Sequence, residues 1–217
     1  MTSTKKSCYI FAAGEPTPIH GAVSDDALVI AADGGFDYAR SHGVTPHFVL
    51  GDFDSLPASS RELLPDSAIR YPKEKDDTDM MLALKLGLQK GCREFHIYGG
   101  LGGRLDHTLA NLQSLTYLTE QGAQGYLYGE NFTLTVLPAA KAVHFAASEP
   151  YNRAECLCSV FSLSDRCEGV TIQGLAYELA DTTLANGFPL GVSNHFTGKD
   201  AFISTKKGTL AVLWYLS

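Results

Sequence analysis

The chain has 217 residues, of which 45% are hydrophobic and 19% are charged, as is ordinary for a globular protein with a packed core. Its formal net charge of −7, with no block of Lys or Arg, argues against a nucleic-acid-binding surface, which would be basic. No apolar run approaches the roughly 20 residues of a membrane span, and the run from Cys8 to Ala13 is too short for the core of a signal peptide. We therefore expect a cytoplasmic protein with no membrane partner.

Apolar runs alternate with helical patterns through the first half of the chain. Strands are predicted at 7–13, 27–32, 47–50, 68–71 and 95–98. Helices are predicted at 36–42, 76–90 and about 106–120, each followed closely by a glycine. Continuous apolar strands that alternate with helices indicate a parallel sheet buried on both faces, so we expect an α/β domain over residues 1–127.

The pattern changes after about residue 125. Residues 132–136 alternate between apolar residues and threonine, as a half-buried strand does. Further strands are predicted at 156–163, 170–179, 201–204 and 210–216, and no helix is predicted after Glu120. The region 128–217 is therefore predicted to be an antiparallel β-sandwich domain. The five cysteines lack C-x-x-C spacing and are interpreted as buried, reduced thiols rather than disulfides or zinc ligands.

Four acidic segments adjoin the strands and helices of the first half. They are Ala31-Ala32-Asp33-Gly34-Gly35, Leu50-Gly51-Asp52-Phe53-Asp54-Ser55, Lys75-Asp76-Asp77-Thr78-Asp79 and Gly102-Gly103-Arg104-Leu105-Asp106-His107. In an open parallel sheet, ligands bind outside the carboxyl ends of the strands, so we expect these carboxylates at one edge of the sheet. Carboxylates in a row can hold Mg²⁺, and through Mg²⁺ they can hold a polyphosphate.

Each acidic position also has a simpler explanation. If the backbone at Phe53 stays extended, Asp52 and Asp54 face the same way and would need a cation between them, but a solvated turn is the alternative. Asp79 lies in the first turn of a helix, where a carboxylate either binds a metal or only compensates the helix dipole. Asp33 fits a ligand site or a tight turn equally well. Asp76 and Thr78 have good helix-capping chemistry.

The strongest candidate for binding phosphate is the loop Gly99-Gly100-Leu101-Gly102-Gly103-Arg104. Its four glycines expose backbone N–H groups, a helix begins directly after it, and Arg104 supplies a cation. The loop is neither a Walker A motif nor a dinucleotide-binding G-x-G-x-x-G motif. Asp106 could serve only as a helix cap, and His107 could donate to phosphate or simply pack in the first turn.

Taken in order, these segments resemble the thiamine pyrophosphokinase family. That family has an Asp-Gly-Gly strand end, a Gly-Asp-Phe-Asp-Ser loop, an Asp-x-Thr-Asp helix start, a Gly-Gly-x-x-Gly-Arg-x-Asp loop and a C-terminal β domain with Ser-Asn. All five occur here, the last as Ser193-Asn194, so the resemblance covers nearly the whole chain.

The resemblance implies a homodimeric enzyme that transfers a pyrophosphoryl group from ATP to the hydroxyl of thiamine, with an active site shared between subunits. It implies a Rossmann-like α/β/α domain that binds ATP and Mg²⁺, followed by a β-sandwich that binds thiamine and forms the dimer. The implied catalytic and Mg²⁺-binding residues are Asp52, Asp54 and Asp79. The implied ATP-site residues are Asp33, Asp76, Thr78, Gly100, Gly102, Arg104, Asp106 and His107. Ser193 and Asn194 would face thiamine. Where some relatives carry a tryptophan, this chain offers Tyr177, and its one tryptophan, Trp214, is expected in the core.

Two other functions fit the acidic edge. A Mg²⁺-dependent phosphohydrolase would release phosphate without an acceptor, and a non-enzymatic nucleotide sensor would bind ATP without forming AMP. The density of carboxylates favours catalysis over sensing, because a sensor needs fewer charges near phosphate.

Overall fold

The computed structural model describes residues 6–54, 56–154 and 156–216. The chain separates into two compact units, 1–130 and 131–217. Within the described ranges, no helix combines the length and the apolarity that crossing a membrane requires.

The first unit is an α/β structure with a parallel sheet. Its elements are β1 (Ser7–Phe11), β2 (Leu28–Ala32), α1 (Gly35–Ser41), β3 (Phe48–Gly51), α2 (Ala58–Arg61), β4 (Ile69–Arg70), α3 (Asp79–Gln89), β5 (Glu94–Tyr98), α4 (Leu105–Glu120) and β6 (Gln124–Tyr128). The strands pair in parallel in the order β6-β5-β1-β2-β3-β4. The chain order reverses at β1, which lies between β2 and β5, and such a switch point is where open α/β sheets bind ligands.

The core of this unit forms because its strands are apolar along their whole length. All five residues of β2 are buried, which is the pattern of a strand covered on both faces. Helix α3 packs closely on β5, since a Cβ atom at Gly87 would lie 2.5 Å from the Phe95 ring. The helix starts and strand ends are thereby held in fixed positions around one edge of the sheet.

The second unit is built from antiparallel strands. Its elements are β7 (Phe132–Pro138), β8 (Ala142–Phe145), β9 (Leu157–Ser162), β10 (Arg166–Gln173), β11 (Leu179–Ala185), β12 (Gly191–His195), β13 (Ala201–Ser204) and β14 (Thr209–Tyr215). They form one set in the order β12-β9-β14-β7 and a second, separate sheet in the order β11-β10-β13-β8. Phe145 of the second sheet meets the buried Trp214 of the first set edge to face, at 5.3 Å between ring centroids. Trp214 therefore belongs to the core, as predicted.

Most predicted elements are present, with corrected boundaries. The helix predicted from residue 76 begins at Asp79, because the Thr78 hydroxyl accepts a hydrogen bond from the Met81 N–H at 3.2 Å and caps the helix there. The first strand ends at Phe11 rather than at residue 13. The sequence-based prediction missed α2, β6, β8, β11 and β12. All five cysteines are buried and free, as expected.

Candidate active site

A cavity of about 630 Å³ opens at the edge of the first unit where β1, β2, β3 and β5 end. The segment 73–80, which leads into α3, forms one wall, and the glycine loop before α4 forms another. The lining includes nine predicted site residues: Asp33, Asp52, Asp76, Thr78, Asp79, Gly100, Gly102, Arg104 and His107. The expected convergence of sequence-distant acidic segments with the glycine loop is therefore present.

The charges around Asp79 in the cavity act on its carboxylate in opposite directions. Burial desolvates the Asp79 carboxylate and raises its pKa, and the negative charges of Asp33 and Asp52 raise it further. The nearby ammonium of Lys75 acts in the opposite direction. Asp33 reaches this position because Gly51 has no side chain, since a Cβ there would lie 3.2 Å from the Asp33 Cα and Cβ atoms. The close approach of β2 and β3 thus brings the carboxylates of Asp33 and Asp52 together at the carboxyl ends of the strands.

Lys75 is the cation inside this acidic group. Its Nζ lies 3.0 Å from Asp79 Oδ1, and its side chain is only 14% exposed. Nζ also donates to the Pro72 carbonyl oxygen at 3.3 Å. The neighbouring Lys73 pairs with Asp54 instead, and both of those side chains are largely exposed. Of the two lysines, Lys73 is therefore solvated and Lys75 is mostly buried.

Asp54 is not part of the cavity lining, in contrast to Asp52. The backbone at Phe53 is left-handed, with φ of 62°, so the extended geometry that would point both carboxylates the same way is absent. Phe53 is buried instead, and the Asp54 N–H donates to Asp52 Oδ1 at 3.0 Å. The structure thus separates the pair: Asp52 lines the cavity, whereas Asp54 is exposed and pairs with Lys73, which lies at the cavity's edge.

The donor set of the cavity fits a metal ion that arrives with a nucleotide. In the part of the chain that the structure describes, no three Asp, Glu, His or Cys side chains form a ready-made metal-binding group. Mg²⁺, however, is commonly held by one or two carboxylates together with water and the phosphate oxygens of a substrate. Asp52 and Asp79 supply two carboxylates on the cavity wall, which matches that requirement.

The glycine loop is held in place by contacts that the sequence did not reveal. Gly99, Gly102 and Gly103 all have positive φ, which other residues adopt with difficulty. The segment after β1 runs alongside, with Gly14 N–H donating to the Gly99 carbonyl at 2.7 Å. From α4, the Asn111 Nδ2 donates to the Gly100 carbonyl at 2.6 Å. These anchors fix the loop that lines the cavity.

Arg104 and Asp106 form an ion pair at the surface end of this loop. Arg104 Nε donates to Asp106 Oδ1 at 3.1 Å, and this hydrogen-bonded pairing lowers the pKa of the Asp106 carboxyl. Arg104 lines the cavity, while Asp106 does not. Asp106 also accepts a hydrogen bond from the His107 N–H at 3.0 Å, as an acidic residue in the first turn of a helix does.

In the second unit, Ser193 and Asn194 have very different surroundings. Ser193 is exposed and has φ of 58°. Asn194 is buried, and its Oδ1 accepts hydrogen bonds at 2.9 Å from the N–H groups of Tyr177 and His195. Its Nδ2 donates to the Tyr177 carbonyl at 2.7 Å. Asn194 therefore holds the backbone of Tyr177, whose ring is exposed.

The family models divide the chain in a similar way. Residues 19–127 match the model described as thiamin pyrophosphokinase, catalytic domain, and residues 148–210 match thiamin pyrophosphokinase, vitamin B1 binding domain. The chain belongs to the thiamin pyrophosphokinase family. The carboxylates and the glycine loop of the cavity lie within the catalytic-domain match, and Tyr177, Ser193 and Asn194 lie within the vitamin B1 binding match.

Individual members of the thiamin pyrophosphokinase family are similar along nearly the whole chain. The thiamine pyrophosphokinase of Bacillus subtilis strain 168 is 27% identical over 196 residues, which is 89% of each chain. Thiamin pyrophosphokinase 1 of Caenorhabditis elegans is 25% identical over 218 residues, or 94% of this chain and 87% of that one. A crystal structure of the Bacillus subtilis enzyme aligns with a TM-score of 0.87 at 26% identity, covering 98% of this chain and all of the other.

Proposed function

We propose that this protein transfers the pyrophosphoryl group of ATP to the hydroxyl of thiamine, giving thiamine diphosphate and AMP. One observation carries the proposal: the catalytic-domain and vitamin B1 binding models of the thiamin pyrophosphokinase family both match the chain, in order. The cavity supports it independently, because it combines acidic side chains with a glycine loop that leads into the start of a helix.

In this proposal the triphosphate of ATP lies against the glycine loop. Gly100 and Gly102 present backbone at the cavity, and the start of α4 directs its positive dipole end there. Asp33, Asp76, Thr78 and His107 complete the ATP site. Arg104 would donate to phosphate oxygens, which requires that it exchange Asp106 for the nucleotide. Asp106 then serves to hold Arg104 at the mouth of the site before ATP arrives.

Magnesium is the metal in this proposal, and Asp52 and Asp79 would hold it. Bound with the nucleotide, Mg²⁺ supplies positive charge that neutralises the phosphates during transfer. The resemblance also implies Asp54 as a ligand of the metal. Asp54 could bind it only if its ion pair with Lys73 opened and the left-handed turn at Phe53 changed. One of Asp52, Asp54 and Asp79 would accept the proton of the thiamine hydroxyl as it attacks the β-phosphorus. Most of the catalysis would come from positioning and electrostatics.

Thiamine would bind to the second unit through Ser193, Asn194 and the ring of Tyr177. Tyr177 is 67% exposed, yet its backbone is fixed by Asn194, so the ring is available to an aromatic, cationic ligand. The resemblance further supports a cytoplasmic homodimer whose active site is shared between subunits, with a Rossmann-like first domain and a β-sandwich second domain.

An assay with Mg-ATP and thiamine tests the function directly. We expect thiamine diphosphate and AMP in equal amounts, with no AMP when thiamine is omitted. Phosphate release without thiamine would identify a phosphohydrolase, and ATP binding without any product would identify a sensor. Omission of Mg²⁺ and the Asp79→Asn variant are the matched negative controls.

A further inference from the structure

Lys75 occupies an unfavourable place for a cation unless a carboxylate balances it. Lys75 precedes α3 in the chain, but its ammonium lies 3.0 Å from Asp79, the first residue of that helix, where the helix dipole disfavours positive charge. Its side chain is largely withdrawn from water, at 14% exposure, so its ammonium has lost most of its hydration. The contact of 3.0 Å with Asp79, in a cavity that Asp33 and Asp52 also line, is what compensates these costs.

The same contact obstructs Asp79 as a metal ligand. A divalent cation that approaches Asp79 meets the positive charge of Lys75 at the same carboxylate, and two cations so close repel each other. The polyphosphate of a nucleotide changes this, because its oxygens offer Lys75 another anionic partner inside the cavity that Lys75 lines. Release of Asp79 would then accompany nucleotide binding.

We propose that Lys75 is a resident counter-cation which makes metal binding depend on the nucleotide: it pairs with Asp79 in the free protein and passes to the phosphates when ATP binds. Lys75 is thus a positioning residue that couples two binding events, so each ligand raises the affinity for the other by the same factor. The inference rests on the proposed function, since it assumes that ATP and a divalent metal bind in this cavity.

Lys73 provides a matched control two residues away. It also pairs with an aspartate, Asp54, at 3.2 Å, but that pair is largely exposed. Lys73 also lines the cavity, but water and salt screen its exposed pair strongly, so removal of the Lys73 charge should leave the binding of Mn²⁺ alone almost unchanged.

The experiment measures Mn²⁺ binding by electron paramagnetic resonance, with Mn²⁺ in place of Mg²⁺. The nucleotide is adenosine 5′-(α,β-methylene)triphosphate, whose bridging carbon blocks cleavage between the α- and β-phosphorus atoms. For the wild type we expect Mn²⁺ alone to bind weakly. With the nucleotide bound, the protein should bind Mn²⁺ about tenfold more tightly than the affinity of the nucleotide itself for Mn²⁺ accounts for. Lys75→Met should bind Mn²⁺ alone about tenfold more tightly and lose most of that enhancement.

Two further variants secure the interpretation. Lys75→Gln repeats the neutral substitution in case Lys75→Met does not fold, and Lys75→Arg keeps the positive charge and should preserve weak binding of the metal alone. Unchanged Mn²⁺ affinity in both neutral variants, or an equal effect in Lys73→Met, would overturn the inference. If either result is found and the wild type still forms thiamine diphosphate, the proposed function stands and only the inference about Lys75 fails. If the wild type binds no Mn²⁺ even with the nucleotide, both the inference and the metal assignment fail.

Discussion

The side-chain amide of Asn194 forms hydrogen bonds with both backbone polar groups of Tyr177. Its oxygen accepts from the Tyr177 N–H at 2.9 Å, and its nitrogen donates to the Tyr177 carbonyl at 2.7 Å. A buried polar side chain thereby fixes the segment that presents an exposed aromatic ring. The resemblance implies that Asn194 faces thiamine, and the structure shows in addition that Asn194 holds the backbone of Tyr177.

Asn194→Ala should therefore lower the free energy of unfolding by about 1–3 kcal/mol, because both backbone groups of Tyr177 lose their partner. The KM for thiamine should rise more than kcat falls, since the chemistry lies elsewhere. Thermal unfolding and steady-state kinetics measure the two effects. Ser193→Ala is the adjacent control, and its exposed side chain should contribute no more than about 0.5 kcal/mol. Equal effects of the two substitutions on the free energy of unfolding would contradict the role assigned to Asn194.

The separation of Asp52 from Asp54 predicts different consequences for two otherwise identical substitutions. Asp52→Asn removes a carboxylate from the cavity wall and should reduce kcat at least about 100-fold, in the range seen when one electrostatic group of an active site is lost. Asp54→Asn removes an exposed partner of Lys73 and should cost clearly less. Both variants should keep the far-ultraviolet circular dichroism of the wild type. A loss with Asp54→Asn that matches Asp52→Asn would mean that the turn at Phe53 rearranges when substrates bind.

The sequence alone predicted the edge where the site lies, for a clear physical reason. Apolar runs end at acidic or glycine-rich segments, and parallel strands bring their carboxyl ends together, so Asp33, Asp52 and the glycine loop were expected as neighbours. Strand β6 was missed because its five residues include a glycine and a glutamine, and β12 because it carries polar residues and the left-handed Ser193.

Other features depend on details that periodicity does not encode. The left-handed backbone at Phe53 removes Asp54 from the cavity, and an extended D-x-D segment has the same sequence pattern. The burial of Lys75 accompanies its ion pair with Asp79 at the first residue of α3, while Lys73, two residues earlier, stays exposed. Asn111 carried no motif that set it apart on α4. Its role follows only from the distance between its side chain and the Gly100 carbonyl.

Gly14 predicts a strong effect on stability close to the cavity. A Cβ atom at this position would lie 2.4 Å from the carbonyl oxygens of Gly99 and Leu101, so the two backbones would have to separate. Gly14→Ala should lower the free energy of unfolding by about 1–3 kcal/mol, as overpacking does, and should weaken ATP binding. Gly187→Ala is the control, because nothing lies within 4 Å of a Cβ there. Chemical denaturation of both variants tests the difference, and a neutral Gly14→Ala would refute the close approach.

Asn111 should affect ATP binding without affecting the chemical step. Its hydrogen bond of 2.6 Å to the Gly100 carbonyl holds one point of the glycine loop, and without it the loop would have to be ordered by the nucleotide itself. Asn111→Ala should therefore raise the KM for ATP about tenfold, the equivalent of one such hydrogen bond, with a kcat that changes much less. Asn111→Gln carries the same amide on a longer side chain and should recover part of the loss. A fall in kcat with an unchanged KM would instead place Asn111 among the groups that act on the transition state.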